Sequence, residues 1–203
     1  MEEPNLSPPN PCLFAIVVEG GIGLVAIGLG WLIGDPPAER IAWNVQAALW
    51  ALSATLPLVG VMWLCLRSPW PPLRELLELV RGKILPVFAR SRVWEFAIIA
   101  AFAGFGEELL FRGVIQTCIA QWFVAPAGMI VGLFVASVLF GALHWLTFTY
   151  AVLATAIGLY LGGLWIVTGN LLVPALVHGL YDFWALVYLT RTYRPDSDRK
   201  SVV

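Results

Sequence analysis

Two adjacent glutamates, an arginine and the chain's only two histidines stand inside its most apolar stretches. In "GFGEELLFRG", Gly104 to Gly113, the acids are Glu107 and Glu108 and the cation is Arg112; His144 stands in "FGALHW", and His178 and Asp182 in "VHGLYD". Carboxylates and imidazoles are the side chains that take and give protons near neutral pH, so this set could activate water. Out of water each is costly. Asp or Arg at the centre of a membrane helix is unfavourable by roughly 2.5 to 3.5 kcal/mol, so the four charged groups would cost on the order of 10 kcal/mol if unpaired. They must face one another or a wet cavity.

Spacing shows how the pairing works. Glu108 and Arg112 are four residues apart, with the acid on the N-terminal side, the favourable order for an ion pair on one helix face. Glu107 points about 100° away from Glu108 and is free to look elsewhere in the bundle. His178 and Asp182, again four apart, share a face of another helix. Any one of these residues alone could be a polar contact that fastens two helices. A spare carboxylate beside a paired one, joined by both histidines, favours function over fastening.

The elements that hold them follow from composition. The chain has 203 residues, of which 60% are hydrophobic and 12% charged, and its mean hydropathy is +0.83; a soluble domain carries about twice that charge. An all-α, polytopic membrane bundle is expected, since helices satisfy their own backbone in lipid. Apolar runs predict about six spans: Leu13 to Ile33, Trp43 to Leu66, Val93 to Ile119, Ala125 to Leu146, Tyr150 to Val167 and Leu171 to Thr190. Breaks such as "GDPPAER", "RSPWPPLR", "QWFVAPAG" and "TGN" separate them. Between the second and third spans, "LRELLELVRGKILPVFARSR" places leucines at helical spacing among cations, the pattern of an interfacial amphipathic helix.

Charge distribution sets orientation. Arg67, Arg74, Arg81, Lys83, Arg90 and Arg92 fall in that connection and Arg191, Arg194, Arg199 and Lys200 at the C-terminus, against Arg40 alone in the opposite loops. The positive-inside rule then puts both termini on the cytoplasmic or stromal side. The acidic, Pro-rich start is unlike a cleaved signal, so the first span is expected to stay. Cys12, Cys65 and Cys118 have no metal-type spacing and predict neither a disulfide framework nor a zinc knuckle. No basic patch points to nucleic acid. Glu19, in the first span, has no motif partner and either pairs across the bundle or lines its cavity; Glu95 is expected to snorkel among Arg90 and Arg92.

Three motifs, in order and each on its own apolar run, resemble those of one family. "EELLFR" (Glu107, Glu108, Arg112) is similar to EExxxR, "FGALH" (Phe140, His144) to FxxxH, and "HGLYD" (His178, Asp182) to HxxxN or HxxxD. The family they resemble is that of the CPBP intramembrane proteases, which include type 2 CAAX prenyl endopeptidases and Abi bacteriocin-processing or immunity proteins. The "TGNL" turn also resembles the family's. The likeness covers about Val93 to Leu189, and it divides the chain into an N-terminal part (1–92) with two spans and the basic connection, a protease core (93–190) and a basic tail (191–203).

The resemblance implies glutamate-dependent peptide hydrolysis, with no cofactor, on a membrane-associated peptide or protein. Glu107 would be the general base, His144 would hold the same water and pass a proton to the leaving amine, and His178 with Asp182 would stabilise the oxyanion. Glu108, Arg112 and Phe140 would support the site. Asp182 stands where eukaryotic prenyl proteases of the family carry Asn, and an ionised Asp cannot donate a hydrogen bond, so His178 or a protonated Asp182 would have to serve. Three other readings stand beside this one: a zinc-dependent protease using the same residues, though HExxH is absent; a silent immunity or scaffold protein; and a proton-coupled transporter, against which the few spans and ordered motifs speak. A prokaryotic plasma membrane or a thylakoid or other plastid membrane is the expected setting.

Overall fold

Asn10, Asn44 and Thr147 each stand just before an apolar run, and each accepts a hydrogen bond from the amide three residues on: Leu13 N at 3.1 Å, Ala47 N at 2.7 Å and Tyr150 N at 3.1 Å. These caps satisfy amides that a helix leaves free at its start. In the computed structural model, which describes residues 10–192, they open α1 (Pro11–Leu32), α2 (Val45–Arg67) and α8 (Phe148–Thr168). Between α2 and the third apolar run lie α3 (Pro71–Leu79), a π-helical turn (Val80–Ile84) and α4 (Leu85–Phe88). The third run is one helix in three parts: α5 (Val93–Glu108), a π-helical segment (Leu109–Gln116) and α6 (Thr117–Gln121). Then come α7 (Ala127–Leu143), α8 and α9 (Leu172–Thr192). The expected cations Arg194, Arg199 and Lys200 lie outside the described residues.

All six apolar runs are helical, and the protein is a helical membrane bundle. Among the described residues four helices, α1, α2, α8 and α9, are long and apolar enough to cross a bilayer singly. The third run is continuous from Val93 to Gln121 but carries the charged motif, and α7 has only 17 residues. At 1.5 Å per residue α7 is about 25 Å long, short of a hydrocarbon core of roughly 30 Å. The count of individually qualifying spans therefore falls below six because two of the runs are adapted to the site. Leu24, Leu56, Ile130, Phe134 and Val152 stand on the outer surface, where lipid rather than water is their fitting solvent.

The connection between α2 and α5 has the two faces its sequence predicts. Leu73, Leu76 and Leu85 are buried, while Arg74, Glu75, Glu78, Arg81 and Lys83 are exposed. Glu95, expected among Arg90 and Arg92, lies at the exposed start of α5, where its carboxylate accepts the Arg92 amide at 2.6 Å and caps the helix. Cys12 packs with Phe96 and Ile99 as an interior residue.

Close approach of α5 to α9 decides what the motif meets. A Cβ on Gly104 would lie 2.5 Å from the Ala175 carbonyl oxygen and 2.7 Å from the Gly179 amide nitrogen, so only glycine lets these backbones touch. Val173 and Val177 of α9 in turn pack with Ala47, Ala51 and Leu58 of α2 and Leu161 of α8. The turn at Asn170 ties the far ends together. Its side-chain oxygen accepts the Ala42 amide at 3.0 Å and the Leu172 amide at 3.1 Å, and its side-chain nitrogen donates to the Ala42 carbonyl at 2.7 Å. Nearby, Arg40 pairs with Asp35 and donates to the Gly113 carbonyl at 3.1 Å, while Gln121 donates to Asp35 at 3.1 Å. One α1–α2 loop thus holds both the π-helical segment and the α8–α9 turn.

Two outcomes follow. Gly104→Leu forces α5 from α9 and lowers stability in detergent by at least about 1–3 kcal/mol, the usual cost of overpacking, read as a fall in thermal unfolding temperature. The Asp35 carboxyl is held below its ordinary value of 3.8, mainly by the Arg40 hydrogen bond. Its contribution is therefore complete above that value and is lost as pH falls through the lowered one; for a solvent-facing pair it amounts to under about 1 kcal/mol. Asp35→Asn should remove that acid-side loss in a stability-versus-pH series.

Candidate active site

The acidic motif falls at a change of helical hydrogen bonding. The helix runs as α5 through Glu108 and widens to π geometry from Leu109 to Gln116, a feature often found at functional sites. Arg112, inside the widened part, is fully buried. Its Nη1 donates to Glu108 Oε1 at 2.8 Å and its Nη2 to the Gly158 carbonyl of α8 at 2.9 Å. The Phe140 ring of α7 covers it at 4.7 Å, a cation–π contact in dry surroundings. The pairing expected from four-residue spacing is present, and it reaches three further helices.

Glu108 does more than hold the arginine. The same Oε1 lies 3.0 Å from His178 Nδ1 on α9, and His178 Nε2 lies 3.4 Å from Asp182 Oδ2 one turn on. A polar chain therefore runs Arg112, Glu108, His178, Asp182, from a guanidinium without exposure to a carboxylate whose side chain is 32% exposed. A carboxylate only accepts, so with both acids ionised each His178 nitrogen donates. The bond to Glu108 is of ordinary length. The one toward Asp182 is loose and aims at the open end.

Glu107 faces the other histidine. Its Oε2 lies 3.9 Å from His144 Nε2, beyond a direct hydrogen bond but within reach of one water touching both. His144 follows the last residue of α7, and its Nδ1 lies 2.8 Å from the Phe140 carbonyl. A carbonyl can only accept, so Nδ1 carries the hydrogen and Nε2 of the neutral ring turns a lone pair toward Glu107. Phe140 spaces the two histidines: it stacks on His144 at 4.4 Å and meets His178 edge-on at 5.8 Å, with Phe111 edge-on behind it at 5.1 Å. α7 ends at Leu143, and that end comes to the acidic motif, where His144 meets Glu107.

All seven residues singled out from the sequence, Glu107, Glu108, Arg112, Phe140, His144, His178 and Asp182, thus lie in one connected cluster. Two neighbours carry no motif signal. Tyr150, near the start of α8, sets its ring 6.0 Å from that of His144. Glu19 of α1 lies against the Glu107 carboxyl. Its burial in an apolar span was the only hint. Among the described residues no group of three His, Cys, Asp or Glu side chains is arranged as a metal site.

Removing one partner of the Arg112–Glu108 pair leaves its mate charged and buried. Arg112→Met or Glu108→Leu should each lower stability by about 3–5 kcal/mol, while the double substitution recovers most of that loss. A double-mutant cycle on thermal or denaturant unfolding in detergent measures it; additive losses would mean the pair is not coupled.

Residues 89–184 match the family model described as type II CAAX prenyl endopeptidase Rce1-like. A Bacillus subtilis (strain 168) protein, described as uncharacterized protein YpbD, is 35% identical over 102 residues, covering 47% of this chain and 46% of that protein. The chain thus spans about half the length of the curated relative it matches. No solved structure gives a significant match.

Proposed function

We propose that the chain, whose residues 89–184 match the Rce1-like model of type II CAAX prenyl endopeptidases, is a member of that family and an intramembrane endopeptidase acting on a membrane-associated peptide or protein. The observation that carries this reading is the facing of Glu107 and His144 across 3.9 Å, beside a second carboxylate already committed to Arg112 and His178. A site meant only to fasten helices has no use for the unpartnered, buried Glu107 Oε2.

Chemistry follows from the geometry. A water held between Glu107 and His144 loses a proton to Glu107 as its oxygen attacks the scissile carbonyl carbon. The carbonyl oxygen gains the negative charge, and His178 supplies the donor for it through Nε2, whose hold on Asp182 is loose. Collapse of the tetrahedral intermediate breaks the C–N bond, and the proton passes by His144 Nε2 to the leaving amine. Asp182 orients and balances His178. Arg112, fully enclosed, reaches no substrate and instead fixes Glu108, and through it the His178 ring.

The short α7 supports an opening on the side of the basic connection, which the charge pattern puts at the cytoplasmic or stromal face. His144 ends α7 at that side, and the turn that follows exposes Leu143, Trp145, Leu146 and Phe148. These apolar groups suit lipid and a lipid-borne substrate together.

Glu107→Gln and His144→Ala should each reduce hydrolysis by about 10²–10⁴-fold, measured with a membrane-anchored peptide library in nanodiscs and read by mass spectrometry, with little change in thermal stability. Chelators should leave the rate unchanged. A parent that cleaves nothing, with the cellular phenotype kept in both variants, would favour a silent scaffold; full hydrolysis in both variants would remove Glu107 and His144 from the mechanism, and loss on chelation with recovery on added zinc would favour a metal-dependent enzyme.

A further inference from the structure

Helix α1 lies outside the matched segment, yet it touches the motif helix backbone to backbone. A Cβ on Gly106 would stand 2.5 Å from the Glu19 carbonyl oxygen and 3.2 Å from the Gly23 amide nitrogen, and one on Gly23 would stand 3.3 Å from the Gly106 Cα. Small residues at such a crossing let helices approach more closely than any side chain allows. Glu19 sits one turn before Gly23 and Glu107 directly follows Gly106, so the crossing sets the two glutamates side by side. Their carboxyl groups lie within hydrogen-bonding reach. On each, Oε2 is buried without a donor.

Among the described residues around the pair, no cation is free to neutralise both. Arg112 is engaged by Glu108 and the Gly158 carbonyl, and His178 by Glu108 and Asp182. His144 presents a lone pair to Glu107 and gives its hydrogen to Phe140. Tyr150 stands beside His144. Two ionised carboxylates in contact have acceptors only, and a hydrogen bond between them needs one proton held in common. The α1 helix has no other reason to bring an acid to this depth, since lipid penalises it.

We propose that Glu19 is a positioning residue for Glu107: it shares a proton with that carboxyl, fixes its rotamer and leaves its remaining lone pairs directed at the water. The proposal rests on Glu107 being the general base. The proton count closes over a turnover. At rest the pair holds one proton; on attack Glu107 takes a second from water; His144 relays one to the leaving amine, and the pair returns to one. On this account a segment of the chain beyond residues 89–184 helps position the catalytic carboxyl.

The test uses the full chain in nanodiscs, with Glu19→Gln, Glu19→Leu and Glu107→Gln. Glutamine keeps the shape and a donor; leucine keeps bulk and favours lipid but cannot donate. Glu19→Gln should keep kcat within a few-fold of the parent, whereas Glu19→Leu should lower kcat at least ten-fold with KM and thermal stability little changed. An unimpaired Glu19→Leu, or a Glu19→Gln as impaired as Glu19→Leu, overturns the proposal. A second readout needs no turnover: in protein labelled with carboxyl-¹³C glutamate, each of Glu19→Gln and Glu107→Gln should remove one carboxyl resonance and displace the partner's. A partner resonance that stays in place overturns the pairing by itself. Paired resonances in a protein that cleaves nothing would instead sink the proteolytic reading and leave the contact standing.

Discussion

A guanidinium with no exposure, in a bundle with lipid around it, is the constraint from which the rest of the site is built. Arg112 cannot shed its charge and cannot reach water, so it must find acceptors within the bundle. Glu108 one turn back, the Gly158 carbonyl on α8 and the ring of Phe140 on α7 meet that need. Because Glu108 also holds His178 of α9, satisfying one cation fixes four helices against one another. The polar chain specifies a geometry more than it adds stability, since desolvation takes back much of what the ion pair returns. What it secures is a neighbouring glutamate that is not drawn into the same network.

Much of this was legible because lipid makes sequences easy to read. Apolar runs gave six helices with ends within a few residues, and four-residue spacing gave the Glu108–Arg112 and His178–Asp182 neighbours. The rest depends on contacts between distant residues. Periodicity does not tell an α-helix from one that widens to π geometry at Leu109, because the change is one of backbone pairing and adds no residue type of its own. Nor does it show that Gly104 faces Gly179, or that Gly106 faces Gly23, since a glycine reads alike whether it lies against a backbone or against lipid. Asn170, within the "TGN" break, reads as a turn former. In the fold it bonds to both the amide and the carbonyl of Ala42, a partner 128 residues away.

The N-terminal part of the chain carries no diagnostic motif, yet two of its pieces meet the site. The α1–α2 loop reaches the π-helical segment through Arg40 and the α8–α9 turn through Ala42, so it braces the helices that carry Arg112 and His178 from their far ends. Helix α1 brings a carboxyl to Glu107. Sequence likeness and structural participation therefore have different extents here: residues outside 89–184 touch the site.

Helix α7 has a final implication. A helix about 25 Å long in a hydrocarbon layer of roughly 30 Å leaves a deficit that the surroundings must absorb. Tilt absorbs a surplus of length, but a shortfall is met by pinching the bilayer. Headgroups and their hydration would then sag toward the Leu143–Thr147 turn, shortening the path a water molecule travels to reach the imidazole at the helix end. Acyl-chain length in the host membrane thereby becomes a variable of the site's wetness, and a bilayer only a few ångströms thicker raises the work of keeping that indentation open.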